Sequence, residues 1–142
     1  MKAITCLAAL LLTGLAAGGG KDAKAAPGPA YDRGSETKFL GKVTEVREVG
    51  KDQALAGVYL SIKTEKGENV NVYVGPQEFI KMFDVTFSAG QDVEVRASKV
   101  KFDGSDLFLA REIRMGQVTL ILRDDSGSPN WDWIRPRVPT GL

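Results

Sequence analysis

Residues 58–83, VYLSIKTEKGENVNVYVGPQEFIKMF, carry the clearest information about the fold of this chain. Apolar residues alternate with polar or tyrosine residues over 58–62 and again over 70–74, which predicts two half-buried strands. The segment TEKGE between them suits a three-residue loop with Gly67 in the left-handed conformation. The two strands are therefore predicted to form an antiparallel hairpin.

The same alternation predicts how the two strands pair, because a slip of one residue would bury polar side chains. The inner face would pair Ile62 with Val70, Leu60 with Val72 and Val58 with Val74. On the outer face, Tyr59 would stand directly opposite Tyr73.

Further elements are predicted on both sides of the hairpin. Pro76 suits the first turn of a short helix, whose apolar face lies within 77–83. Residues 41–49 are rich in β-formers but place three valines three residues apart, which predicts a bulged strand that turns a barrel corner. Later strands are predicted at 93–97, 107–114 and 118–122, with a turn at 103–105.

Three strands, one short helix and two strands follow one another in the order of an OB-fold, here with an extra strand at the end. The predicted fold class is all-β, β-rich with one short helix, built as a small OB-fold-like barrel of five to six strands. Another small barrel or a split sandwich is the alternative, because a bulged first strand and a mid-chain helix do not exclude either.

The first 25 residues have the layout of a secretory signal peptide: a basic start, an apolar run at 3–17 and then small residues. The run is shorter than the ~20 residues of a spanning helix, although a membrane anchor is the alternative. We expect a signal peptide at 1–25, a linker at 26–37, the barrel at 38–134 and a flexible tail at 135–142. The mature protein would then be periplasmic or secreted.

Composition limits the chemistry. The chain has no histidine, and its single cysteine, Cys6, lies in the predicted signal peptide. Histidine-based acid–base catalysis, a thiol nucleophile, disulfides and the usual zinc sites are therefore not expected, and neither is a cofactor or an enzymatic activity. After removal of residues 1–26 the chain has 16 basic and 17 acidic residues, which does not favour a nucleic-acid partner.

Five segments within residues 39–131 resemble a family of small exported bacterial OB-fold-like proteins, to which the magnetosome-associated MamS/MamX domain belongs. They are GKVTEV, VNVYVGP, AGQDVEVRASKV, LFLAREIRMG and VTLILRDDSGSPNW, and their order is more specific than any one of them. Some relatives hold haem through a Cys-x-x-Cys-His motif. This chain lacks that motif, so the resemblance does not imply haem binding or electron transfer here.

The outer face of the predicted hairpin is the candidate ligand site, because OB-folds bind ligands there. Tyr59 and Tyr73 would supply stacked rings, with Lys63, Asn69 and Asn71 as nearby polar groups. The alternative is a cross-strand aromatic pair that stabilises the hairpin and binds nothing.

The two tryptophans follow a turn at 124–128, which we interpret as a solvated turn rather than a calcium loop, since its spacing does not match an EF-hand. Trp131 is predicted to fold back over the end of the barrel, because a small barrel needs the extra buried area. Trp133 and Ile134 would then form an exposed apolar patch for a partner.

The sequence thus predicts a periplasmic or secreted, non-enzymatic binding or accessory module with no membrane span after signal cleavage. The partner would be a protein or small ligand of the cell envelope, whose identity the sequence does not give. An exported single-stranded nucleic-acid-binding module and a structural docking subunit of an envelope complex are the alternatives.

Overall fold

The computed structural model describes residues 28–132, which form six strands and one short α-helix. A single turn of 3₁₀ helix, Arg33–Ser35, comes first. The strands are β1 Glu36–Val49, β2 Gly57–Thr64, β3 Asn69–Gly75, β4 Asp92–Phe102, β5 Ser105–Met115 and β6 Val118–Ile121. The helix α1, Gln77–Lys81, lies between β3 and β4.

Five of these strands pair in a closed ring. β1 pairs with β2 and with β4, β2 pairs with β3, and β4 pairs with β5, all antiparallel. A parallel pairing of β3 with β5, between Val72 and Phe108 and between Tyr73 and Leu109, joins the two ends. β6 lies outside the ring and continues the sheet from β5. The predicted all-β, OB-fold-like class with one short helix is confirmed by this order.

The hairpin of β2 and β3 has the predicted register over most of its length. Ile62 lies opposite Val70, Leu60 opposite Val72, and Tyr59 opposite Tyr73. The prediction is wrong at one pair: a register shift between Val58 and Tyr59 places Val58 opposite Gly75 rather than Val74. The loop glycine has the positive φ that the sequence predicted, at +88°.

The bulge predicted in the first strand is present. Val43 pairs with Ile62 and Glu45 with Ser61, so Thr44 is the extra residue. This irregularity falls where the long β1 passes from its pairing with β4 to its pairing with β2. A single strand thereby joins both halves of the ring.

The segment that the sequence predicted as a linker, 26–37, is described from residue 28 and contacts the ring. β1 begins at Glu36 rather than after residue 37. The backbone N–H of Asp32 donates to Ser98 Oγ at 3.0 Å, and Ser98 Oγ donates to the Asp32 carbonyl at 2.9 Å. These bonds attach the N-terminal segment to β4. The predicted signal peptide and the tail at 135–142 lie outside the described residues.

The core lies inside the ring and extends to one end of it. Fully buried side chains come from every strand and include Val43, Leu60, Ile62, Val72, Val95, Leu109, Ile113 and Leu120. Phe79 and Ile80 of α1 and the side chain of Trp131 close one end. Within residues 28–132, no helix has the length and hydropathy needed to cross a membrane.

Candidate functional site

Tyr59 and Tyr73 face each other across the hairpin, with ring centroids 5.1 Å apart in an edge-to-face arrangement. Both rings are buried, which favours the alternative of a cross-strand aromatic pair over a ligand site. Their exposed fractions are 6% for Tyr59 and 3% for Tyr73. Neither ring is therefore open to stack against a ligand in this structure.

The loop between β1 and β2 causes much of this burial, and the ring of Trp131 also packs against Tyr73. The loop folds over the outer face of the hairpin, where Tyr59 Oη donates to the Leu55 carbonyl at 2.7 Å and Tyr73 Oη to the Ala56 carbonyl at 2.8 Å. The guanidinium of Arg47 covers the Tyr59 ring at 5.3 Å. Burial raises the pKa of Tyr59, and the nearby Arg47 charge opposes this only in part.

The polar members of the predicted ligand site lie farther along the same hairpin. Lys63, Asn69 and Asn71 are exposed, and Ser61 Oγ donates to Asn71 Oδ1 at 3.3 Å. The loop covers the half of the face that holds the two tyrosines and leaves the polar half open. The three polar side chains therefore have no accessible tyrosine ring beside them. Ligand binding by Lys63, Asn69 and Asn71 stays a prediction, and neither tyrosine ring is accessible to take part in it.

Trp131 is buried, as the sequence predicted, and it packs against α1 and against the outer face of β3. Its side chain is 4% exposed, and its ring lies 5.3 Å from Phe79 and 6.3 Å from Tyr73. The chain reaches this position through the turn after Leu122, where Asn130 N–H donates to the Leu122 carbonyl at 3.0 Å. Trp133 and Ile134, the predicted partner patch, lie outside the described residues.

The acidic turn before Trp131 is organised by Asp124. Its Oδ1 accepts hydrogen bonds from the backbone N–H groups of Ser126 and Ser128, at 2.9 and 3.0 Å. Hydrogen bonding from Ser126 and then Ser128 lowers the pKa of Asp124. Within residues 28–132 there is no group of acidic, cysteine or histidine side chains placed to hold a metal ion.

A cleft of about 860 Å³ lies beside Trp131, at the end of the ring. Four separate segments line it, within 28–31, 49–57, 73–78 and 123–131. The tyrosine-covering loop forms one wall, and the acidic turn forms another. The cleft therefore exists only when the two ends of the described chain meet over the ring.

Arg123 lies in this cleft and is 6% exposed. Its guanidinium carbon is 5.0 Å from the centroid of the Trp131 ring and 5.5 Å from that of Tyr31. Nη1 donates to the Gly127 carbonyl at 3.0 Å, whereas the buried Nε has no hydrogen-bond partner within residues 28–132. Burial lowers the pKa of Arg123, and the charges of neighbouring groups oppose this shift.

Tyr31 is held in place by Glu36 and Arg111. Tyr31 Oη donates to Glu36 Oε1 at 2.7 Å, and Arg111 donates to both oxygens of Glu36 at 3.1 Å. Partial burial opposes ionisation of Glu36, but the bonds from Tyr31 and Arg111 outweigh it and lower the pKa of Glu36 to about 2. Burial and the bond to Glu36 raise the pKa of Tyr31 to about 12.

The sequence analysis missed this cluster of Tyr31, Arg123 and Trp131. Tyr31 fell in the predicted linker, and Arg123 follows a predicted strand directly before a polar turn. Alternation gave no signal for its burial, because Arg123 is out of step with the buried Leu120 and Leu122.

The closed ring and its helix between the third and fourth strands define a small OB-fold-like protein with a cleft at the end of the ring. The chain belongs to the MamS/MamX magnetosome protein family, whose family model matches residues 35–120. The three residues of the cleft cluster, Tyr31, Arg123 and Trp131, fall on either side of the matched span.

No curated protein matches the chain significantly. Among solved structures, it is similar to the mitochondrial single-stranded DNA binding protein Rim1 of S. cerevisiae. One crystal form has 17% identity and a TM-score of 0.41, and the match covers 58% of this chain and 93% of Rim1. Another has 18% identity and a TM-score of 0.38, with 58% and 95% covered.

Proposed function

We propose that this protein is an exported, non-enzymatic binding or accessory module that serves magnetosomes from the periplasmic side of the cell envelope. The family supports the magnetosome setting. The basic start and apolar run of residues 1–17 support export. The absence of histidine from the sequence, and of a cysteine after residue 6, supports a role without catalysis.

The cleft at the end of the ring is the observation that carries the binding role. Its volume of about 860 Å³ lies in the range of small-molecule and peptide sites. Its walls combine apolar side chains such as Leu55 and Trp131 with the buried charge of Arg123. A mostly apolar pocket with one well-placed polar group is the usual composition of a ligand site.

A cleft-filling variant tests the binding role. Ala30 is exposed and lines the cleft, so Ala30→Trp would fill it while leaving the core intact. Ala89 is equally exposed but does not line it, which makes Ala89→Trp a matched control. Native mass spectrometry of protein isolated from envelope extract should show a bound species in wild type and Ala89→Trp that is lost in Ala30→Trp. Equal occupancy in all three proteins would contradict the proposed site.

Export is tested separately by the N-terminus of the protein recovered from the cell. A first residue between about positions 17 and 26 in the periplasmic fraction is expected for signal cleavage. Recovery of the intact N-terminus from the cytoplasm would contradict it.

The nucleic-acid alternative is less well supported. The exposed part of the hairpin face holds Lys63, Asn69 and Asn71 but no accessible ring, and single-strand binding relies on stacked aromatics. A salt-dependent anisotropy change with a single-stranded oligonucleotide would favour that alternative, whereas no change at low salt is expected.

A docking role for Trp133 and Ile134 stays a prediction. Deletion of residues 133–142 keeps Trp131 in place, so the domain should remain as stable as wild type. Loss of a crosslinked envelope partner in that stable protein would support docking through the tail.

A further inference from the structure

Two arginines of this protein are buried to nearly the same extent but are paired very differently. Arg111 is 8% exposed and Arg123 is 6% exposed. Arg111 forms two hydrogen bonds with Glu36 and a third with Asp125, at 3.1 Å each. No carboxylate of residues 28–132 lies within ion-pair distance of Arg123, although the charge of Asp132 acts on it, and its hydrogen-bond partner is the neutral Gly127 carbonyl.

Burial of a guanidinium without a counter-ion is costly, and a buried donor without an acceptor adds to that cost. At Arg123 the charge of Asp132 acts from beyond ion-pair distance, and the buried Nε has no hydrogen-bond partner within residues 28–132. The rings of Tyr31 and Trp131 offset part of the cost through cation–π contact. Ring faces do not accept hydrogen bonds as an oxygen does, so the guanidinium retains capacity for an anion.

The surroundings hold this guanidinium in a fixed position. Tyr31 is fixed by Glu36, and Gly127 brings its backbone carbonyl onto Nη1. Trp131 is packed against Phe79 on its other side. A guanidinium whose position is already fixed loses little conformational entropy when it binds an anion. This favours specific binding of an anion over nonspecific electrostatic attraction.

We propose that the cleft binds an apolar group that carries one carboxylate, and that the carboxylate pairs with Arg123. This deepens the proposed binding role and rests on it. The apolar part would lie against Leu55, Pro129 and the edge of Trp131. A carboxylate matches the planar fork of a single guanidinium.

A phosphate fits the same surroundings less well. The other cation at the cleft, Lys51, is already paired with Glu78, with 2.7 Å between Nζ and Oε2. A phosphate dianion would therefore meet one available cation and the negative charge of Glu78. The charge balance of the cleft favours a monoanion.

The carboxylate could belong to a free organic acid or to the C-terminus of a polypeptide. Isothermal titration calorimetry of the full mature protein with 3-phenylpropanoate tests whether a carboxylate next to an apolar group binds. The amide of the same compound is the uncharged control. The tripeptide acetyl-Ala-Ala-Phe, as acid and as amide, distinguishes the sources. At least tenfold tighter binding of the tripeptide acid than of 3-phenylpropanoate assigns a polypeptide C-terminus, and a smaller difference assigns a free acid.

Each acid should bind at least about tenfold more tightly than its amide, as expected for a charge-assisted pair. Arg123→Lys should lose most of this preference, because an ammonium lacks the fork. Arg114→Lys, at an arginine that is 58% exposed and outside the cleft, should retain it. In ¹⁵N spectra, the Nε–H resonance that disappears in Arg123→Lys should shift when the acid binds.

Equal binding of acid and amide, or no binding of either at millimolar concentration, would overturn the carboxylate assignment. If Arg123→Lys does not fold, Ala30→Trp tests the same site with Arg123 intact. Unchanged binding of the acids by Ala30→Trp would overturn the assignment of the carboxylate to this cleft. A third outcome separates the two proposals. If the protein binds neither acid but carries a species from the cell that is lost in Ala30→Trp, the proposed function stands and only the carboxylate assignment is rejected.

Discussion

The guanidinium carbon of Arg123 lies 5.0 Å from the centroid of the Trp131 ring. The same ring contacts Phe79 of α1 and Tyr73 on the outer face of β3, and all three belong to one buried cluster. Trp131 thus belongs both to the core and to the wall of the cleft. A change at this ring should therefore alter stability and the candidate site together.

Trp131→Ala should lower the free energy of unfolding by about 3–5 kcal/mol, because it removes a buried ring and leaves a cavity. Urea denaturation followed by circular dichroism measures the change. Met82→Ala serves as a control, since Met82 is 60% exposed and its loss should stay within about 0.5 kcal/mol. A loss below about 1 kcal/mol in Trp131→Ala would contradict the role of this ring as part of the core.

Gly127→Ala should be more destabilising than Gly90→Ala, although the two glycines have nearly the same backbone conformation. Their φ angles are +93° and +91°, so the left-handed strain of about 1–2 kcal/mol is common to both. At Gly127 an added Cβ would lie 2.5 Å from Cδ1 of Tyr31, whereas at Gly90 it would meet open space. We expect a further cost of about 1–3 kcal/mol for Gly127→Ala in thermal or urea unfolding. Equal costs would show that Tyr31 does not pack on this turn.

Acid should weaken the protein through Glu36. Its folded-state pKa of about 2 lies below its ordinary value of 4.5, so its contribution is present above pH 4.5 and is lost as pH falls towards 2. The side chain is 13% exposed, and the shift corresponds to a contribution on the order of 2–3 kcal/mol. Glu36→Gln should therefore be less stable than wild type at pH 7, and the difference should shrink between pH 4.5 and 2.5. A difference that stays constant across this range would contradict the assignment.

Tyr59→Phe and Tyr73→Phe should each loosen the loop between β1 and β2. Each substitution removes one hydrogen bond to a loop carbonyl, at a cost of about 0.5–1.5 kcal/mol. Hydrogen exchange of the amides in 50–56 should become faster in both variants. Asn71→Ala, on the exposed part of the same face, should leave this exchange unchanged. Unaltered exchange in the tyrosine variants would show that other contacts hold the loop.

Local pattern predicted the elements well because strands on a half-buried sheet reveal themselves by alternation. The hairpin register from Tyr59 to Ile62 followed from the apolar pattern, and Gly67 has the positive φ expected of its loop. The pairing of Val58 was wrong because a bulge at the end of a strand leaves no mark in an alternating pattern. The place of Trp131 was predictable because so small a ring cannot bury enough area without it.

The exposure of the two tyrosines was not predictable from the same pattern. Alternation shows which residues share a face, and it does not show what covers that face. Here a loop without strand periodicity supplies the cover, with backbone carbonyls that accept the tyrosine hydroxyls. The alternation identified the pair correctly, but it could not show that both rings are buried.

By itself, the sequence determined the order of the strands, the class of the fold and the burial of Trp131, since each depends on residues close together in the chain or on total buried area. Only the tertiary structure decided the candidate site. Tyr31 and Arg123 come from opposite ends of the described chain, and they meet because the closed ring brings those ends together. No local pattern encodes that meeting, which depends on the closure of the whole sheet.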